Sequence, residues 1–255
     1  MLIRLRHVLA GAALVALVAA QASAQLAVAA ASDLQPVLPE IAARFQRATG
    51  QVVRVSFGSS GNFVSQIQQG APFDVFLSAD AEYVNRLVAS RHADARSVTG
   101  YATGRLALWS RTDRGLSLAS GLSALADPRI RTIAIANPEH APYGRAAVEA
   151  LRRAGQYDRL RSRLVLGENV AQAAQFAQTG NADVAIVALS LTQAPGMKQA
   201  GSAVELPDDA YPRIAQTAVV LTRSRQAGMA ARFLAFLGQP DILLLLRTAG
   251  FGSRP

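Results

Sequence analysis

The 255 residues suffice for one large domain or two of ordinary size. The absence of cysteine excludes disulfides, thiolate metal sites and lipid attachment at an N-terminal cysteine. The formal charge of +9 comes from scattered arginines, with Lys198 the only lysine; lacking a dense basic run or interleaved aromatics, it does not mark a nucleic-acid binder.

Arg4, Arg6 and His7 form a basic head, Val8 to Ala20 is apolar, and Ala22-Ser23-Ala24 offers small residues at a cleavage position. A secretory signal peptide over residues 1–24 is expected, because the apolar run is shorter than the about 20 residues that span a membrane. A soluble exported chain without a lipid anchor fits a Gram-negative periplasm. The mature chain opens with Leu26–Ala31, a bounded apolar run that reads as a strand buried on both faces. Leu34, Val37, Leu38, Ile41 and Phe45 then recur at helical spacing, with Ser32 as the expected cap and Gly50 as the stop. Val52–Ser56 reads as a strand and Phe57–Asn62 as a small polar turn. A short helix through Phe63 and Ile67 ends at Gly70, and Asp74–Leu77 is the next strand. A helix holding Tyr83, Val84 and Leu87 follows Ser78-Ala79-Asp80. The order β-α-β-α-β-α predicts an α/β fold with a parallel sheet.

The pattern restarts near Arg105. Leu106–Trp109 reads as a strand, Ser117–Leu125 as loop and short helix, and Thr132–Ala136 as a strand. A helix runs through Ala146, Val148, Leu151 and Ala154. Leu164–Leu166 precedes a helix over Ala171–Gln178, and Asp183–Ala188 and Ile214–Leu221 read as strands. Two closing helices, Met229–Leu237 and Ile242–Thr248, have no strand between them and must pack back on a body already built. Two lobes are expected, residues 25–102 with 216–255 and residues 103–215, with the chain crossing near 103 and 215.

Four stretches share one design, small or polar residues at a strand's end where a helix begins: Ser32-Asp33, Ser59-Ser60-Gly61-Asn62, Ala141-Pro142-Tyr143-Gly144 and Glu168-Asn169-Val170. Such ends carry unpaired backbone N–H groups and the positive pole of the helix dipole, which suit an anion. In open α/β sheets, ligands bind at the strands' C-terminal ends. A ligand held by hydroxyls and N–H groups, with no obligatory lysine or arginine, is a small anion stripped of its water.

Ala29–Leu34, Phe57–Gly61, Gly70–Asp80 and Asn137–Gly144, in that order along the mature chain, resemble the periplasmic molybdate-binding proteins of ABC transporters. The resemblance implies a two-lobed type II periplasmic binding fold, molybdate or tungstate as ligand, and delivery to an ABC-transporter permease. It places the ligand donors on Ser32, Ser60, Tyr143 and the backbone N–H of Val170. The chain departs from the pattern at Ala188, where some members carry a ligand-binding tyrosine; the Tyr143 phenol is expected to restore that hydroxyl from another loop. Asp33 joins the site through its N–H, its carboxylate expected to turn away from a dianion. Asp74 and Asp80 are expected to fix their loop rather than touch ligand. No cofactor is implied, and a monomer is expected.

Two rival readings stay open. Sulfate, thiosulfate or phosphate shares the charge and shape of molybdate; phosphate, which carries a proton at neutral pH, would need an acceptor such as an inward-facing Asp33. A serine hydrolase using Ser60 and His140 is the other, although Gly58-Ser59-Ser60-Gly61 lacks the spacing of a nucleophile elbow. With His92 and His140 the only histidines outside the leader, a catalytic metal site is not expected.

Overall fold

Apolar runs too short for helices become strands, and in a computed structural model, which describes residues 25–254, they assemble into two five-stranded sheets. The expected signal peptide lies outside the described residues. The elements in chain order are β1 Leu26–Ala31, α1 Leu38–Thr49, β2 Val53–Gly58, α2 Ser60–Gln68, β3 Val75–Ser78, α3 Ala81–Ala89 and β4 Thr99–Gly104. They continue with β5 Leu106–Arg111, β6 Ile133–Ala136, α4 Pro142–Arg153, α5 Tyr157–Leu160, β7 Leu164–Gly167, α6 Val170–Gln178, β8 Val184–Ala188, α7 Leu189–Thr192, α8 Pro195–Ala200 and β9 Gly201–Glu205. β10 Ile214–Val220, α9 Ala227–Leu237 and α10 Pro240–Thr248 complete the chain.

The first sheet has the order β2-β1-β3-β10-β4 and the second β7-β6-β8-β5-β9. β1 pairs in parallel with β2 and β3, but β10 runs antiparallel to both β3 and β4, so the sheet is mixed rather than parallel as expected. The second sheet is mixed in the same way, with β5 antiparallel to β8 and β9. The chain crosses between sheets at Arg105 and again within residues 206–213. Residues 103–104 and 214–215 therefore belong to the first sheet, a correction of two residues to each expected crossing.

The first helix also differs from expectation. A one-turn 3₁₀ helix covers Ser32–Leu34, and α1 starts only at Leu38. Pro36 and Pro39 explain the interruption, since neither has an N–H to give to the carbonyl four residues back. Gln35 N–H instead reaches the Ser32 carbonyl in a 3₁₀ bond. Gly50 ends α1 at φ +75°, the left-handed value that glycine adopts without strain.

The closing helices pack back as expected. Phe45 of α1 meets Phe233 and Phe236 of α9 edge to face at 5.1 and 5.3 Å. Phe45 is buried, and losing such a ring costs about 3–5 kcal/mol. These contacts cover one face of the first sheet, leaving its strand ends to face the second sheet.

Candidate functional site

The four stretches at the strand ends meet around one small cavity of about 10 Å³ between the sheets. Ser32 and Asp33 come from the turn after β1, Gly58 to Ser60 from the β2–α2 junction, Ala141 to Tyr143 from the start of α4, and Val170 from the start of α6. Ala79, after β3, closes the wall. That is room for about one water-sized sphere, far below the about 300–1,000 Å³ typical of pockets for organic ligands.

Each serine is held so that its proton stays available. Ser32 Oγ accepts the Ala171 N–H from the opposite sheet at 3.3 Å, and Ser60 Oγ accepts the Ala79 N–H at 3.0 Å. A hydroxyl that accepts through a lone pair still has its own O–H to donate. Neither serine caps its helix; Ser59 caps α2 through the Asn62 N–H, and Asn169 caps α6 through the N–H groups of Ala171 and Gln172. The backbone N–H groups of Ser60, Tyr143 and Val170, at the first turns of α2, α4 and α6, have no hydrogen-bond partner among the described residues. None of these three helices has an acidic residue in its first turn, whereas α1, α3 and α10 carry Glu40, Glu82 and Asp241 there. Three positive helix ends thus face one cavity, none of them with a carboxylate in its own first turn.

No lysine, arginine or histidine lines the cavity. Its one ionisable acid is Asp33, which is completely buried. The 3₁₀ turn that carries it is buried, so its carboxylate does not reach solvent. Asp33 Oδ2 accepts from Tyr143 O–H at 2.9 Å and from Gln216 Nε2 at 2.7 Å, while Oδ1 makes no hydrogen bond. Burial pushes the carboxyl up to about 6, against the opposing pull of the Tyr143 and Gln216 donors. In this contact the single proton of the Tyr143 phenol is given to Asp33. Tyr143 reaches the cavity with its unpaired N–H instead.

Gln216 was not anticipated. Its Oε1 accepts from Tyr101 O–H at 2.8 Å, so Tyr101, Gln216, Asp33 and Tyr143 form one buried chain of hydrogen bonds between the sheets. A glutamine inside the apolar run Ile214–Leu221 was the sequence signal for it. Ser190 of α7 adds a bond to the Asp33 carbonyl at 2.7 Å.

A second group of contacts surrounds the opening. Gly61 N–H donates to the His140 carbonyl at 2.9 Å, and Asn62 Nδ2 to Glu168 Oε1 at 3.1 Å. Arg145 of α4 pairs with Asp80, donates to Tyr83 O–H oxygen at 2.7 Å and lies 4.9 Å above that ring. Asp80 also caps α3, and Asp74 binds the Ala27 N–H and Ser224; neither lines the cavity. His140 Nε2 donates to the Glu168 carbonyl at 3.0 Å, so Ser60 and His140 form no nucleophile–base pair.

The family model for bacterial extracellular solute-binding proteins matches residues 26–252. The molybdate-binding protein ModA of Rhodobacter capsulatus is 40% identical over 235 residues, 90% of this chain and 89% of that one. ModA of Azotobacter vinelandii is 38% identical over 247 residues, 95% of this chain and 94% of that one. The solved structure of the Azotobacter vinelandii periplasmic molybdate-binding protein superposes with a TM-score of 0.83 at 34% identity, covering 89% of this chain and 98% of its own.

Proposed function

The chain belongs to the bacterial extracellular solute-binding proteins, and on that premise we propose that it captures molybdate as an intact tetrahedral dianion between its two sheets and delivers it to the permease of an ABC transporter. The observation that carries this reading is the convergence of three helix N-termini, none with an acidic residue in its first turn, and two serine hydroxyls on one small cavity without a cation. Fixed dipoles of that kind replace an anion's hydration shell without supplying a counter-charge. The relatives named for molybdate support the choice of anion.

In this reading Ser32 and Ser60 donate through their hydroxyls, and Ser60, Tyr143 and Val170 through their backbone N–H groups. Residues 25–104 with 214–254 form one lobe and 105–213 the other, and they close around the ion as a hinge pair. Tungstate, with the same charge and shape, is bound by the same donors. The protein acts as a monomer in the periplasm, exported by the expected leader, and carries out no chemistry on its cargo. A second reading is favoured by one feature, the unpaired Asp33 Oδ1: it offers an acceptor to a hydrogen-bearing oxyanion such as hydrogenphosphate.

Calorimetric titration with molybdate, competed by sulfate and phosphate, tests both. One-to-one molybdate binding that excess sulfate and phosphate do not displace is expected. Preference for phosphate moves the assignment to the second reading, and no oxyanion binding at all rejects both.

A further inference from the structure

We propose that Asp33 is the proton-bearing donor of the oxyanion site, so that closing the cleft on a dianion takes up one proton from solvent. The inference rests on the oxyanion reading above and adds to it the group that ties affinity to pH.

Asp33 lines the cavity and is completely buried. Both of its side-chain donors, Tyr143 O–H and Gln216 Nε2, fall on Oδ2, and Oδ1 is left buried without a partner. A buried acceptor in that condition is costly. No cation touches the carboxylate among the described residues, and only neutral donors, Tyr143, Gln216 and the backbone N–H groups of Asp33 and Leu34, work against its burial. A dianion enclosed beside it meets a like charge in a medium that screens poorly, and carboxylates sharing such a site hold a proton between them. One proton on Oδ1 removes the repulsion, satisfies the orphan atom and adds a donor to those of Ser32 and Ser60. No bond of the oxyanion breaks: molybdate enters intact, one proton passes from buffer to Oδ1, and Oδ2 keeps its two donors.

The groups facing Asp33 from its neighbours leave it as the one that titrates. Tyr143 comes from α4, Gln216 from β10 with Tyr101 of β4 behind it, and Ser190 from α7 binds the Asp33 carbonyl. Burial pushes both phenols well up, so they keep their protons, and the Asp33 carboxyl is itself raised to about 6 by burial before any anion enters. His140 and Glu168 are bonded to one another at the opening and do not line the cavity.

Titrating the full chain with molybdate near neutral pH, in buffers of different ionisation enthalpy, counts the protons taken up. Uptake approaching one per anion is expected, with affinity falling up to about tenfold per pH unit between about pH 6 and pH 8. Asp33→Asn should bind with uptake near zero and an affinity that no longer follows pH. Tight molybdate binding by the wild-type chain with no proton uptake overturns the inference and leaves the oxyanion reading standing. Uptake undiminished in Asp33→Asn assigns the proton elsewhere and overturns it as well. If neither molybdate, sulfate nor phosphate binds, the oxyanion reading fails and this inference goes with it.

Discussion

Asp33, Tyr143, Gln216 and Tyr101 meet where no water reaches them, whereas the Arg145–Asp80 pair, set against the buried Tyr83 ring, is still partly wet. Both groups join one sheet to the other, yet they respond to different things. The inner group is a chain of directed hydrogen bonds around one acid, so it is sensitive to shape and to protons. The outer group is an ion pair with a cation–π contact, so salt weakens it and shape matters less. On the proposed reading, the buried polar order decides whether the cleft closes and the charge pair adjusts how readily it does.

Gly104→Ala should do the most damage, because it breaks the inner group by volume alone. A Cβ there would collide with the Tyr143 hydroxyl and lie 2.8 Å from Ile214 Cγ2 and 2.9 Å from Gln216 Nε2. Closure should be lost, with molybdate affinity down about a hundredfold, equivalent to about 3 kcal/mol; calorimetry measures it, and an unchanged affinity would show that the inner group does not govern closure. Tyr143→Phe removes one bond from the same group and should cost about tenfold, near the 1–3 kcal/mol of leaving a buried acceptor short of a donor. The loss should appear with a larger radius of gyration in small-angle scattering of the liganded protein; a weaker complex that stays fully compact would return the phenol to direct contact with the anion. Arg145→Ala should matter least. Its half-exposed pair with Asp80 contributes about 0–1 kcal/mol, so affinity should fall less than about fivefold, and raising the salt should erase the difference from wild type. A large, salt-insensitive loss would remove the distinction between the two groups.

Much of this arrangement was legible in the chain. β1, β3, β6 and β8 announce themselves as apolar runs because each has neighbours on both sides. β4 and β9 were not read as strands, and both are edge strands: Thr99–Gly104 is rich in threonine and glycine, and Gly201–Glu205 is largely exposed. An edge with one partner needs less apolar character, so it leaves less periodicity. The antiparallel seating of β10 between β3 and β4 depends on contacts far apart in sequence, which no local pattern records. The same limit applies at the site. Strand-end serines and helix starts were readable as an anion cradle, since the donors lie within a few residues of each signal. Gln216 was visible only as a polar interruption in an apolar strand, and its partner Asp33 lies 183 positions away. Coulomb repulsion argued for turning the Asp33 carboxylate from the anion, but the partners that receive it, Tyr143 and Gln216, lie too far along the chain for any local pattern to name.

The place of β10 also bears on how the chain is made. It fills the gap between β3 and β4 in the first sheet, although the whole second sheet is encoded before it. A chain emerging from the ribosome at about 5–20 residues per second therefore passes several seconds with β3 unpaired along one edge. The first sheet acquires this interior strand last, so cooperative folding waits for near-complete synthesis. Until then β3 presents a bare edge, the kind of surface that invites pairing with another chain.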